Sequence, residues 1–166
     1  MASFKEALAW LRQEQHAGTR PDRPARLDLD EIALSPEVFQ VRERAGEEGG
    51  VDERHLQDLV RALQSKPEER PFLDPILVTA IGSRFYCIDG HYRIAAYQTH
   101  GLTHSVPVTF FEGSLEDAIS AAIEANTKVV LPLTHAERMD AAWRLVCLAS
   151  HSKAQQAEAC GVSQST

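Results

Sequence analysis

The chain has 166 residues, with 24 acidic against 17 basic side chains and a net charge of −7. That length suits one ordinary domain with a small appendage, enough to bury a core without metals or disulfides. The acidic balance excludes a protein that coats nucleic acid non-specifically, since such binding rests on Lys and Arg neutralising phosphates; any DNA contact must be local. The N-terminus lacks the continuous apolar stretch of a signal peptide, and no apolar run approaches a membrane span, so no membrane partner is expected. Cys87, Cys147 and Cys160 are widely spaced in apolar surroundings and read as buried reduced thiols, from which a cytoplasmic location follows.

Ser3-x-x-Glu6 has the form of a capping box, and Phe4, Ala7, Leu8 and Leu11 recur at helical spacing, which predicts an amphipathic helix to about Gln15. That helix is either a lid on its own core or a dimer contact. Residues 17–24 turn to Gly, Pro, Arg and Asp and read as a linker. From Arg26 to Ile32, Leu27, Leu29 and Ile32 alternate with charges, as in a half-buried strand. A polar loop at Gly46 to Gly50 precedes a helix capped by Asp52, with Leu56, Leu59, Val60 and Leu63 on one face. A connection from Lys66 to Pro75 leads into a hairpin: residues 76–80, a Gly82-Ser83 turn, and residues 84–88. A helix from about His91 to His100 stops at Gly101, and Val106 to Phe111 supplies another strand.

Beyond Gly113 the pattern becomes helical. Ser114-x-x-Asp117 caps a helix to about Ala125, and Thr134-x-x-Glu137 opens another, whose buried stripe is expected to be Met139, Ala142, Trp143 and Val146. Ser152-x-x-Gln155 opens a third. The layout predicts an α+β fold in three parts: an N-terminal helix and linker over 1–24, a mixed sheet with flanking helices over 25–112, and an all-helical region over 113–166.

The strand that runs through Asp89-Gly90 directly into a helix leaves the first N–H groups of that helix pointing beyond the strand end, where an anion is favoured. Gly90 would admit a ligand close to the backbone, and Arg93 could offer a forked donor to phosphate. The same residues read equally well as an ordinary turn, with Asp89 as N-cap and Arg93 as a solvated side chain. A carboxylate beside a phosphate needs a second task, such as holding Mg²⁺ or accepting a hydroxyl proton. His91 could donate to phosphate or act as a base. No direct protein cluster for a metal is apparent, since Gly101 separates His100 from His104.

The run Pro75-Ile76-Leu77-Val78 followed by Phe85-Tyr86-Cys87-Ile88-Asp89-Gly90-His91-Tyr92-Arg93-Ile94-Ala95-Ala96-Tyr97 resembles the signature block of the ParB/sulfiredoxin superfamily. Before it, Leu34-Ser35-Pro36-Glu37-Val38-Phe39-Gln40-Val41-Arg42 is similar to the family's first box, which ends in Gln-x-Arg. After it, Glu124-Ala125-Asn126-Thr127-Lys128 is similar to the second nucleotide box, with an extra residue and Lys for Arg. The resemblance implies a ParB/sulfiredoxin-like mixed sheet. It implies nucleotide phosphates held by Gly90, His91, Tyr92 and Arg93 with Gln40, Arg42, Glu124, Asn126 and Lys128. The nucleotide would be CTP, or ATP or ADP because the box reads Asp-Gly-His-x-Arg, with Mg²⁺ on Asp89 or Glu124. Were the protein an enzyme, the resemblance implies a CTPase or other NTPase, or a free-serine-type kinase with Glu37 and Asp89 as catalytic residues, or a ParB-like nuclease. His91 stands where sulfiredoxins carry their reactive cysteine, which disfavours that chemistry.

Residues 157–166 resemble the centre of a bacterial helix-turn-helix, with Ala157 between helices, Gly161 in the turn and Ser163 capping a recognition helix. DNA contacts are then expected from Ser163, Gln164, Ser165 and Thr166. Because Thr166 falls in the first turn of that helix, DNA reading is expected of a longer parent protein. The whole pattern implies a DNA-binding regulator or partition-type adaptor, homodimeric, nucleoid- or plasmid-associated, with a partition ATPase as a further partner.

Overall fold

The computed structural model describes residues 3–19, 21–40, 51–127, 134–148 and 152–162. Helix α1, Phe4–Glu14, opens on a complete capping box: Ser3 Oγ accepts from the Glu6 N–H and the Glu6 carboxylate accepts from the Ser3 N–H at 2.7 Å. Its buried face, Phe4, Ala7, Leu8 and Leu11, joins the core of its own chain, as a lid does.

The expected strand from Arg26 to Ile32 is instead two short strands, β1 at Arg26–Leu27 and β2 at Ile32–Ala33, parted by a 3-10 turn at Leu29–Glu31. The cause is local. The Glu31 carboxylate accepts from the Asp28 N–H at 2.7 Å, closing a capping box that bends the chain, and the Leu29 N–H turns away to the Thr103 carbonyl at 2.9 Å.

Helix α2, Pro36–Phe39, and helix α3, Val51–Gln64, precede the hairpin of β3, Ile76–Ile81, and β4, Arg84–Asp89. Helix α4, His91–His100, and strand β5, Val106–Phe110, complete a five-stranded mixed sheet in the order β1-β5-β3-β4-β2. β3 runs antiparallel to β4 and parallel to β5; β2 joins β4 in parallel and β1 joins β5 antiparallel. β4 is buried on both faces, which is why it reads as a continuous apolar run. Phe85 and Cys87 belong to a core shared with α3 and α4, including Leu63, Ile94 and Tyr97, while Tyr86 and Ile88 join the residues of α1 and α2.

The remaining helices are α5, Leu115–Thr127, α6, His135–Leu148, and α7, Lys153–Cys160. Each follows its expected capping residues: Asp117 N–H to Ser114 Oγ at 3.1 Å, Thr134 N–H to Glu137 at 2.7 Å and Ser152 N–H to Gln155 at 2.9 Å. α5 lies on the β4 side of the sheet and buries Ile119 and Ile123.

The buried stripe of α6 is not the expected one. Ala141, Leu145 and Leu148 enter the core, whereas Trp143 is 46% and Val146 57% exposed. Both sets have helical spacing, so periodicity could not choose between them. The rotation is fixed through Arg144 of α6, whose guanidinium reaches out of the helix to the carbonyls of Val38 and Gln40.

Candidate functional site

The turn between β4 and α4 is built on Gly90, whose φ of +121° lies where L side chains rarely go. A Cβ there would stand 3.2 Å from both Arg93 Nε and Ile76 Cγ2. Gly90, and not Asp89, is the N-cap of α4. The first helical bond runs from the Ile94 N–H to the Gly90 carbonyl at 2.9 Å, so the N–H groups of the first turn lie ahead of the helical ladder.

Arg93 folds back beneath this turn. Nη2 donates to Asp89 Oδ2 at 2.7 Å, and Nη1 donates to the Pro75 carbonyl at 2.8 Å and to that of Asp74 at 3.3 Å. Its side chain is 18% exposed, against 39% for Asp89. The guanidinium thus staples the start of α4 to the start of β3. A phosphate entering here would share Arg93 with Asp89 or displace the carboxylate from it.

His91 is half-buried, its Nδ1 3.7 Å from Cys87 Sγ. Burial, and then the Asp89 charge, push the Cys87 thiol far above its ordinary range against the opposing pull of Arg93, so this sulfur is a neutral core group. Tyr92 is buried with its ring edge-on to His55 of α3, 5.3 Å between centroids.

Glu37 lies in the first turn of α2 and Gln40 is that helix's C-cap. Glu124 is exposed on α5, and Asn126 Nδ2 donates back to the Ala122 carbonyl at 2.7 Å. Arg42, Lys128, Ser163, Gln164, Ser165 and Thr166 lie outside the described residues, as does the polar loop at Gly46 to Gly50. Among the described residues no group of three or more His, Cys, Asp or Glu side chains could hold a metal, and no helix is long and apolar enough to cross a membrane.

At the other end, α7 buries Ala157 and Cys160, and Gly161 follows in the left-handed region at φ +62°. The Val162 N–H closes on the Ala157 carbonyl at 3.0 Å, a turn that ends the helix and redirects the chain. The Cys160 thiol, pushed up to about 11 by burial, is a packing group.

Two contacts were not anticipated from sequence. Arg144 connects α6 to α2, and Asp28 ties together two loops, accepting from the Ser105 N–H at 2.7 Å with His104 Nδ1 at 3.1 Å. The Asp140–Arg144 spacing signals a helical pair, but nothing local says that the arginine also reaches residues more than a hundred positions earlier.

The architecture is thus α+β, a five-stranded mixed sheet with flanking helices followed by a helical C-terminal part, the fold of the ParB N-terminal domain. Among solved structures it is similar to the C-terminally truncated chromosome-partitioning protein ParB from Caulobacter crescentus complexed to the centromeric parS site. That match has 20% identity over 86% of this chain and 67% of that one, with a TM-score of 0.55. The same protein complexed with CTP-gamma-S matches at 22% identity over 84% of this chain and 72% of that one, with a TM-score of 0.47. No protein-family model matches the chain, and no curated protein matches it.

Proposed function

We propose that the chain is the body of a ParB-like nucleotide-binding, DNA-binding regulator or partition-type adaptor. The observation that carries this reading is the turn at Asp89 to Arg93, where a left-handed Gly90 heads α4 and Arg93 is stapled beneath it. Backbone N–H groups at a helix start, beside a guanidinium and a close-approach glycine, favour phosphate oxygens. The likeness in fold to a ParB bound to parS supports DNA as a partner, with the turn at Gly161 as the turn of a helix-turn-helix.

Magnesium fits this site in one way. Asp89 gives Oδ2 to Arg93, so a cation here would be held by Asp89 and by the phosphates themselves, the usual pattern for Mg²⁺ on a nucleotide. Such a cation would neutralise charge between Asp89 and the phosphates.

A homodimer is part of the same reading, with the exposed Trp143 and Val146 of α6 as its contact.

Calorimetric titration with CTP, ATP, ADP and GTP, each with Mg²⁺, tests the site. Binding of at least one nucleotide is expected, weakened by about tenfold or more in Arg93→Ala, the loss of one charge-assisted contact. A wild-type chain that binds none of the four would overturn the reading.

A further inference from the structure

Arg144 joins the two ends of this molecule's functional reading. Its Nη1 donates to the Val38 carbonyl at 3.2 Å and to the Gln40 carbonyl at 3.1 Å. On its own helix Nε donates to Asp140 Oδ2 at 2.8 Å, which holds the guanidinium in one orientation, and the Phe4 ring covers it with its centroid 5.7 Å away. The side chain is only 11% exposed.

The carbonyls it reaches belong to the last turn of α2, a four-residue helix. The final carbonyls of a helix have no partner within it, and so short a helix does not hold itself together. Burial of Val38 and Phe39 fixes one side of α2, and Arg144 fixes its end. Any movement of α2 must therefore either break these charge-assisted bonds or carry α6 with it.

α6 in turn carries α7. Ala141, Leu145 and Leu148 share a core with Cys160, and the Arg138 stem runs alongside the turn at Gly161, where a Cβ would meet Arg138 Cδ at 3.8 Å. We propose that Arg144 is the positioning residue through which a ligand that shifts α2 acts on α6 and α7. This rests on the nucleotide reading above and names how that site is connected to the helices expected to carry DNA.

Hydrogen–deuterium exchange on the full chain tests it in two arms. In the first, wild type, Arg144→Met and Arg144→Lys are compared with and without saturating nucleotide and Mg²⁺. Nucleotide is expected to slow exchange in α6 and α7 of wild type by about threefold or more. Arg144→Met is expected to lose that response while keeping the response at α4, and Arg144→Lys, a cation without the fork, to retain part of it. An undiminished response in Arg144→Met overturns the proposal.

The second arm uses no ligand. Gln40→Gly, which loosens the end of α2, is expected to speed exchange in α6 and α7 by about threefold or more when Arg144 is present and to leave them unchanged in Arg144→Met. Equal effects in both backgrounds overturn the coupling. Wild type that binds no nucleotide overturns the nucleotide reading and the ligand half of this proposal, and the ligand-free arm then decides the coupling by itself.

Discussion

Arg93 and Asp89 hold each other at 2.7 Å across the junction of β4 and α4, and the same guanidinium donates to the Pro75 carbonyl at 2.8 Å. Asp89 is too exposed for the ion pair itself to be worth much, whereas the carbonyls of Pro75 and Asp74 lose a charged donor if Arg93 goes. Arg93→Ala is expected to lower stability by about 1–3 kcal/mol and Asp89→Asn by less than about 1 kcal/mol. Urea unfolding of both variants and of the double variant measures this. Equal losses from the two single changes would show that the carbonyl contacts contribute nothing.

Two neighbours on α6 should behave in opposite ways. Leu145 is fully buried, so Leu145→Ala is expected to cost about 2–5 kcal/mol. Trp143 is nearly half exposed, with Phe4 edge-on at 5.8 Å between centroids and Lys5 Nζ 5.8 Å from its ring centre, so Trp143→Ala is expected to cost at most about 1.5 kcal/mol. Sedimentation of the same variant should show weakened self-association. A Trp143→Ala chain that associates like wild type would remove α6 as the dimer face.

The tie between Asp28, Ser105 and His104 predicts a pH dependence. The Ser105 N–H, and secondly His104, hold the Asp28 carboxyl below its ordinary value of 3.8. A carboxyl whose pKa is lowered by folding stabilises the fold above its unfolded pKa, and that contribution disappears as the pH falls through the folded pKa. Wild type should therefore melt above Asp28→Asn at pH 5 to 7, with the gap closing below about pH 4. Melting curves across that range check it; a gap that persists at pH 2 would mean that the asparagine loses something other than charge.

Thiol chemistry should distinguish the cysteines. Cys87 and Cys160 are buried with raised pKa values, while Cys147 is half-buried beside Lys5, Leu8 and Arg12. An aromatic disulfide reagent is expected to modify Cys147 first, with the other two slower by about a hundredfold until the chain is unfolded. Equal native rates at all three would contradict the packing around β4 and α7.

Short-range signals were read well from sequence because their physics is short-range. Ser3 with Glu6, Ser114 with Asp117, Thr134 with Glu137 and Ser152 with Gln155 each close within one helical turn, and each marks the start of a helix. The hairpin and the turn at Gly90 are likewise local. Asp28 and Glu31 were equally local but stood inside a pattern of alternating residues, and the alternation concealed the box.

What sequence could not rank were choices made by distant partners. Two stripes of α6 have the same periodicity, and the buried one was selected by Cys160 of α7 and by the α2 carbonyl that Arg144 reaches. At the candidate site the motif placed Gly90 and Arg93 together correctly but left unseen that Arg93 is already engaged by Pro75, eighteen residues earlier.

The sheet order has a consequence for how the molecule can fail. β1 and β2 lie on opposite margins of the sheet, yet both come from the eight residues between Arg26 and Ala33. Five strands span about 19 Å, and eight extended residues reach about 28 Å, so this segment works as a single strap closing both open flanks. A nick between Asp28 and Glu31 would uncouple the two flanks, leaving each two-residue strand held only by its own neighbour, β1 by β5 and β2 by β4.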